Sequence, residues 1–357
     1  MGEIVYMEED KKINRRKFIK DLSLIGLGVT FGSSLLNLAG QKAHSQAISR
    51  IVVSEHPDAV TGVRINEENA QKAVDVGIMQ YTGQKNLADA YASIFPSISP
   101  KEIVTIKVNC INSQLPTHTE VVNAIVKGLV SAGFNENNII IWDRTNHELI
   151  NCRYSYNISD SGVRCFGSDQ RDIGYDKQVK VGNKNLRLSK ILTSSDHIIN
   201  VPVLKDHGMA RVTLSMKNHY GSVNNPGILH DGECDPYIAE LNALPDIKEK
   251  TRLIVLDGLL GIFIGGPGGA PQFVYNSIII GQDPVAVDYY GWKILESERK
   301  KRGLDLPQPK HIITAAKLGL GTNDPSKIQV DIVNAKEQSP VSPIKKLRTT
   351  WGNVKEG

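Results

Sequence analysis

The sequence predicts an α/β protein, a mostly parallel sheet with flanking helices and a small inserted lobe. Three observations carry that expectation. Runs of apolar, largely β-branched residues recur at 103–108, 139–142, 197–203 and 252–256. They are nearly continuous rather than alternating, as in strands covered on both faces. Segments of helical periodicity lie between them, so the strands are expected to pair in parallel through right-handed crossovers. The runs also end in polar residues: Lys107-Val108-Asn109, Asp143-Arg144, Asn200 with Lys205 and His207, and Asp257-Gly258. Ligands of open parallel sheets bind outside the carboxyl ends of the strands, which points these four ends at one site.

The elements follow in chain order. Residues 1–47 have the layout of a twin-arginine signal peptide: Arg15-Arg16 precede a moderately apolar, glycine-containing run at 22–39, and Ser45-Gln46-Ala47 offers small residues for cleavage. Glycines, Thr30, two serines and Asn37 dilute that run below what a spanning helix of about 20 strongly apolar residues needs. An exported protein of about 310 residues would remain. A short strand is expected at 51–54, helices at 66–79 and 86–95, and a strand at 103–108. Thr119 can cap a helix over 120–132 that Gly133 ends, and a strand follows at 139–142. Residues 146–188 are irregular and glycine-punctuated and are read as the inserted lobe within an α/β domain spanning 48–334.

Residues 196–230 concentrate the chemistry. The run 197–203 reads as a buried strand with Pro202 at its end, because proline cannot donate to a ladder. Lys205, Asp206 and His207 are expected in a turn closed by Gly208. Val212, Met216 and Tyr220 fall four apart, which predicts a helix over 209–220 stopped by Gly221. Beyond it come short helices over 235–243 broken by Pro245, then the strand at 252–256. The glycine-rich stretch 261–269 matches neither a Walker loop nor the dinucleotide fingerprint, and reads as a hairpin connection or a close backbone approach to a ligand. A strand over 273–280 leads to Asp283-Pro284, which fit the N-cap and first position of a helix over 285–299 and leave Asp288 freer. From about Ala335 the chain is polar and proline-interrupted, a C-terminal tail.

The segment INVPVLKDHGMARVTLSMKNHYGSV, then Leu229-His230, resembles the core motif of the domain of unknown function 362 family. LDGLLGIFIGGPGG and GQDPVAVD resemble the motifs that follow it, in the same order, and the likeness spans roughly 51–317. It implies no assigned activity. Many members carry a ferredoxin-type cysteine module, which this chain lacks.

Charged residues at 22%, hydrophobic ones at 40% and a net charge of +4 describe an ordinary globular composition, with no basic-aromatic interleaving for a nucleic acid. Cys110, Cys152, Cys165 and Cys234 form no Cys-x-x-Cys pair, so no iron-sulfur cluster is expected; disulfides and free thiols stay open. Lys205 and Lys217 would hold an anion and His207 would transfer a proton, with Lys107, Asn109, Asn200, Asn218 and His230 as further substrate-binding residues. A divalent metal stays open, with His230, Asp257 and Asp288 as ligand candidates, though their spacing matches no standard motif. The reading is an exported, periplasmic enzyme acting on a small anionic substrate, its reaction unassigned and redox or metal assistance open. A non-catalytic ligand-binding or scaffold protein, or a cofactor-handling partner of an exported redox complex, are the alternatives. The expected partners are the export machinery and a small anionic ligand, with membrane contact through the signal peptide alone.

Overall fold

Strand β1 (Ser49–Glu55) buries its four central residues, and the short β2 (Val60–Thr61) and β3 (Arg64–Ile65) make a separate ribbon. The computed structural model describes residues 48–338 and the backbone of 348–349; the segment 1–47, expected to be a twin-arginine signal peptide, and most of the expected C-terminal tail lie outside them. Helix α1 (Glu67–Thr82) starts where Asn66 accepts a bond from the Asn69 amide and stops at Gly83, whose φ of 76° suits glycine. After α2 (Leu87–Ala92), strand β4 (Val104–Lys107) leads to α3 (Thr119–Ser131) and then β5 (Ile139–Trp142), all four residues of which are buried. Thr119 is not the cap of α3. His118 holds that position, and its backbone amide and Nδ1 both bond the Asp257 carboxylate, at 2.9 and 2.7 Å.

Residues 146–189 form α4 (Asn146–Asn151), β6 (Arg164–Cys165) and the antiparallel hairpin of β7 (Tyr175–Val181) with β8 (Lys184–Ser189). α5 (Lys190–Thr193) then precedes β9 (His197–Asn200). Pro202 interrupts the strand, as a residue without an N–H should. The chain resumes as β10 (Val203–His207), so Lys205, Asp206 and His207 are strand residues. The helix expected over 209–220 is absent. Residues 208–210 turn the chain into β11 (Arg211–Thr213), which pairs antiparallel with β10, and only α6 (Ser215–Asn218) and one 3-10 turn are helical. Three apolar residues spaced by four fit a helix, but β-branched Val212 and Thr213 fit a strand equally and satisfy the backbone of β10. The helix start is set from afar: Asp288 is fully buried and accepts from the Ser215 amide at 2.7 Å, the Ser215 hydroxyl at 2.5 Å and the Met216 amide at 3.1 Å. Asp288, expected to be freer than Asp283, is thereby fully engaged.

Next come α7 (Tyr237–Asn242), α8 (Pro245–Lys248), the long β12 (Thr251–Ile262), β13 (Phe273–Gly281), α9 (Pro284–Lys300), α10 (Lys310–Lys317) and β14 (Ile328–Asn334). Asp283 caps α9 by accepting from the Val285 and Ala286 amides, with Pro284 at its first position. The glycine-rich stretch is the connection between β12 and β13. Its close approach is to protein, since the Gly266 amide donates to Asp206, a carboxylate also held by Arg299 at 2.8 Å.

Inward from a two-residue antiparallel edge strand at 348–349, the sheet order is β14-β1-β13-β12-β9-β4-β5-β6. Every pair along it is parallel except the two made by β13, so the fold is α/β with a mostly parallel sheet and flanking helices. β12 is long enough to pair with β9 along its first half and β10 along its second. Strand alternation splits the core in two. Ile140, Ile198 and Ile254 belong to one cluster, with residues of α5, α7, α9 and α10, while Ile139, Ile199 and Leu253 belong to the other, with residues of α1 and α3.

Candidate functional site

At the carboxyl ends of β4 and β5, the Lys107 ammonium sits 2.6 Å from the Asp143 carboxylate and 2.6 Å from the Val108 carbonyl. Asp143 also accepts from the Cys110 amide at 2.6 Å and the Arg144 amide at 2.8 Å. Gly221 packs against this pair, and a Cβ there would lie 2.6 Å from Asp143 Oδ1. The glycine is needed for that close approach, not as a helix stop.

A chain of amides runs beside the ion pair. Lys205 is wholly buried; it donates to Asn109 Oδ1 at 2.6 Å and to the Leu115 carbonyl at 3.1 Å. Asn109 Nδ2 donates to Asn218 Oδ1 at 3.1 Å, Asn218 Nδ2 to Asn200 Oδ1 at 2.7 Å, and Asn200 Nδ2 to the Ser215 carbonyl at 2.8 Å. Each link fixes which end of the next amide is donor and which acceptor. Burial pushes Lys205 down to about 8.

In front of the amides lies a cavity of about 180 Å³, walled among others by Asn109, Arg144, His207, Lys217, Asn218 and His230. Lys217 is 6% exposed, and its Nζ lies 3.1 Å from His230 Nε2 and 3.5 Å from the centre of the Tyr220 ring. Among the described residues neither Lys217 nor Lys205 has a carboxylate within 4.0 Å. Burial pushes Lys217 down to about 7. His230 Nδ1 faces the Gly227 carbonyl at 3.2 Å and so carries the proton, which leaves Nε2 as an acceptor for Lys217. Burial and the nearby Lys217 charge keep His230 below its usual range.

The His207 ring stacks on His230 with centroids 5.6 Å apart. Its Nδ1 accepts from the Met209 amide at 3.2 Å and the Ala210 amide at 3.1 Å, so its proton sits on Nε2. Burial, with Lys217 and His230 beside it, pushes His207 down to about 3. His207 is therefore a neutral hydrogen-bond donor near pH 7, and its ring has no free lone pair to act as a base. At the rim, Arg144 pairs with Glu148. Behind the site His311 is wholly buried, and both its ring nitrogens lack a hydrogen-bond partner among the described residues. Burial, then Lys217 and His207, push it down to about 3.

Of the residues named from sequence, His207, Lys217, Asn109, Asn218 and His230 wall the cavity. Lys107, Lys205 and Asn200 lie behind it as supports. Asp257 and Asp288 are spent, the first on His118 and Leu259, the second on the start of α6. His230 is bonded to Lys217. Among the described residues no group of three His, Cys, Asp or Glu is arranged to hold a metal ion. The four cysteines are free and buried. Sequence reasoning missed Arg144, Glu148, Tyr220 and His311 as parts of the site. Arg144 was visible at a strand end, whereas His311 carried no signal beyond being a histidine in a helix.

The fold and site define an α/β protein with a small polar pocket at the carboxyl edge of its sheet. The chain belongs to the family described as Domain of unknown function (DUF362), which it matches over residues 104–293, from β4 into α9. Among solved structures it is similar to a protein from Thermotoga maritima, with 10% identity and a TM-score of 0.39. It is also similar to the lactate racemase apoprotein from Thermoanaerobacterium thermosaccharolyticum, with 12% identity and a TM-score of 0.35. Each likeness covers 72% of this chain and 60% of the other, so the chain spans about 60% of the length of these structures. No curated protein matches it in sequence.

Proposed function

We propose that the protein is an enzyme acting on a small anionic molecule bound in this cavity, with Lys217 and His230 as its proton-transferring pair. One observation carries the reading: Lys217 is a buried cavity-wall lysine with no carboxylate within 4.0 Å among the described residues, and it lies 3.1 Å from an imidazole acceptor. Lysine ordinarily titrates near 10.4. At about 7 it exchanges a proton near neutrality, and an arriving anion favours its charged form. Arg144, its charge matched by Glu148, lines the rim. Asn109 and Asn218 orient the substrate, and His207 offers Nε2–H to a developing negative oxygen. Lys205 acts through Asn109, whose carbonyl oxygen it holds. Proton transfer thus falls to the pair rather than to His207.

Arg15-Arg16 and the apolar run after them support action after export by the twin-arginine route. Replacing both arginines with lysine and fractionating cells tests that; normal export of the double variant removes it.

The site is tested by calorimetry with oxalate and phosphate at pH 6 and pH 8.5, followed by turnover assays on a panel of small acids. Binding should weaken as pH rises through about 7, and Lys217→Met should cost about tenfold or more. Affinity independent of both pH and Lys217 would sink the reading. Tight binding with no turnover of any panel member would make this a ligand-binding protein.

A further inference from the structure

We infer that Lys217 is a Schiff-base lysine, its amine condensing with the carbonyl carbon of a small anionic aldehyde or ketone held in the same cavity. This rests on the anion-binding reading above and narrows its substrate class. Three buried lysines meet at this sheet edge, and their surroundings differ. Lys107 is tied to Asp143, and Lys205 is sealed behind Asn109. Among the described residues, of these three lysines only Lys217 combines a cavity wall, the absence of a carboxylate within 4.0 Å and a neighbouring proton acceptor. An amine that attacks carbonyls needs that setting, because a carboxylate would hold it as the ammonium.

The neighbouring groups fit each stage. His230 Nε2 can take the proton that Lys217 must lose, since Nδ1–H is committed to the Gly227 carbonyl. The nitrogen lone pair then forms the C–N bond, and the carbonyl π pair moves to oxygen. The spare N–H of Asn109, or His207 Nε2–H, can receive that oxygen. His230 returns its proton to the oxygen and then relays a second one to it from the nitrogen, still cationic after the attack; the oxygen leaves as water while the freed nitrogen lone pair closes the C=N bond. Amine and carbonyl give imine and water, with no oxidation or reduction. The face of Tyr220, 3.5 Å from Nζ, would favour the cationic iminium. A cavity of about 180 Å³ suits a molecule of few heavy atoms, at about 30 Å³ for each water displaced.

The test is reductive trapping on the full chain. Protein is incubated with glyoxylate and cyanoborohydride, which delivers hydride to an imine, and the adducts are mapped by peptide mass. One carboxymethyl group per chain is expected, at Lys217, formed at least about tenfold faster than at an exposed lysine such as Lys127. Oxalate should slow the labelling competitively, and His230→Gln should slow it without moving the site. Mapping needs only the wild-type chain, so a misfolded variant cannot obscure the answer. Labelling spread evenly over surface lysines would overturn the inference. If oxalate binds by calorimetry but Lys217 stays unlabelled, the imine falls and the anion site stands; if oxalate does not bind and nothing is labelled, both fall.

Discussion

Lys107 and Lys217 are both buried at the same sheet edge, yet they serve opposite ends. Lys107 meets a carboxylate at 2.6 Å, and that carboxylate is itself held by two backbone amides. Its charge is matched inside the protein, which makes the Lys107–Asp143 region a strut. Lys217 meets an imidazole and an aromatic face instead. Its charge is unmatched, which costs folding energy and leaves the group ready to accept an anion or give up a proton. A partner makes a buried lysine structural, and the lack of one makes it reactive.

The largest expected effect comes from unmatching the strut. Asp143→Ala should destabilise the fold by about 3–5 kcal/mol in denaturant titrations, because it strands Lys107 without its carboxylate. A cost below about 1 kcal/mol would mean that the Lys107–Asp143 pair does not brace the fold, and the contrast with Lys217 would collapse.

The next effect is on pH dependence. Lys217 is held near 7 when folded but titrates near 10.4 when unfolded, so between these values the unfolded chain binds more protons. Stability should therefore rise with pH across that window, by a few kcal/mol as an upper bound. Lys217→Met should flatten the rise in Tm between pH 7 and 10; an unchanged slope would assign it to Lys205, which burial also lowers.

Gly221→Ala brings the two regions together, since the added methyl would meet Asp143 Oδ1. Overpacking of this kind costs about 1–3 kcal/mol. Thermal melts should register it, and anion binding should weaken with it because residues 217–221 carry both Lys217 and the glycine. Loss of stability with intact binding would separate the two regions.

The smallest effect concerns acid. His311 is neutral when folded, pushed to about 3, and titrates near 6.5 when unfolded, so its contribution is lost as pH falls from about 6.5 toward 3. His311→Phe should shift the acid-unfolding midpoint down by a fraction of a pH unit; a shift upward would imply that His311 is protonated in the fold.

Sequence by itself determined the parts whose signals are local. Residues 139–142 are a strand because nothing in them suits a solvated face, and α9 begins at Pro284 because Asp283 and Pro284 supply both halves of a helix start. The polar strand ends were legible for the same reason, as was the crowding of lysines, histidines and amides between 200 and 230. Tertiary structure decided what local periodicity left degenerate. Three apolar residues spaced by four could be helix or hairpin, and β10 made the choice by offering β11 a ladder. It also decided the fate of each polar residue. Asp288 begins a helix 73 positions away, Asp257 orients His118, and Lys205 holds Asn109 across 96 positions. Lys107 and Lys217 are the same residue in sequence, each near other polar groups. Only the fold brings Asp143 to one and withholds a carboxylate from the other, because charge compensation depends on distances of a few ångströms that the order of residues does not encode locally.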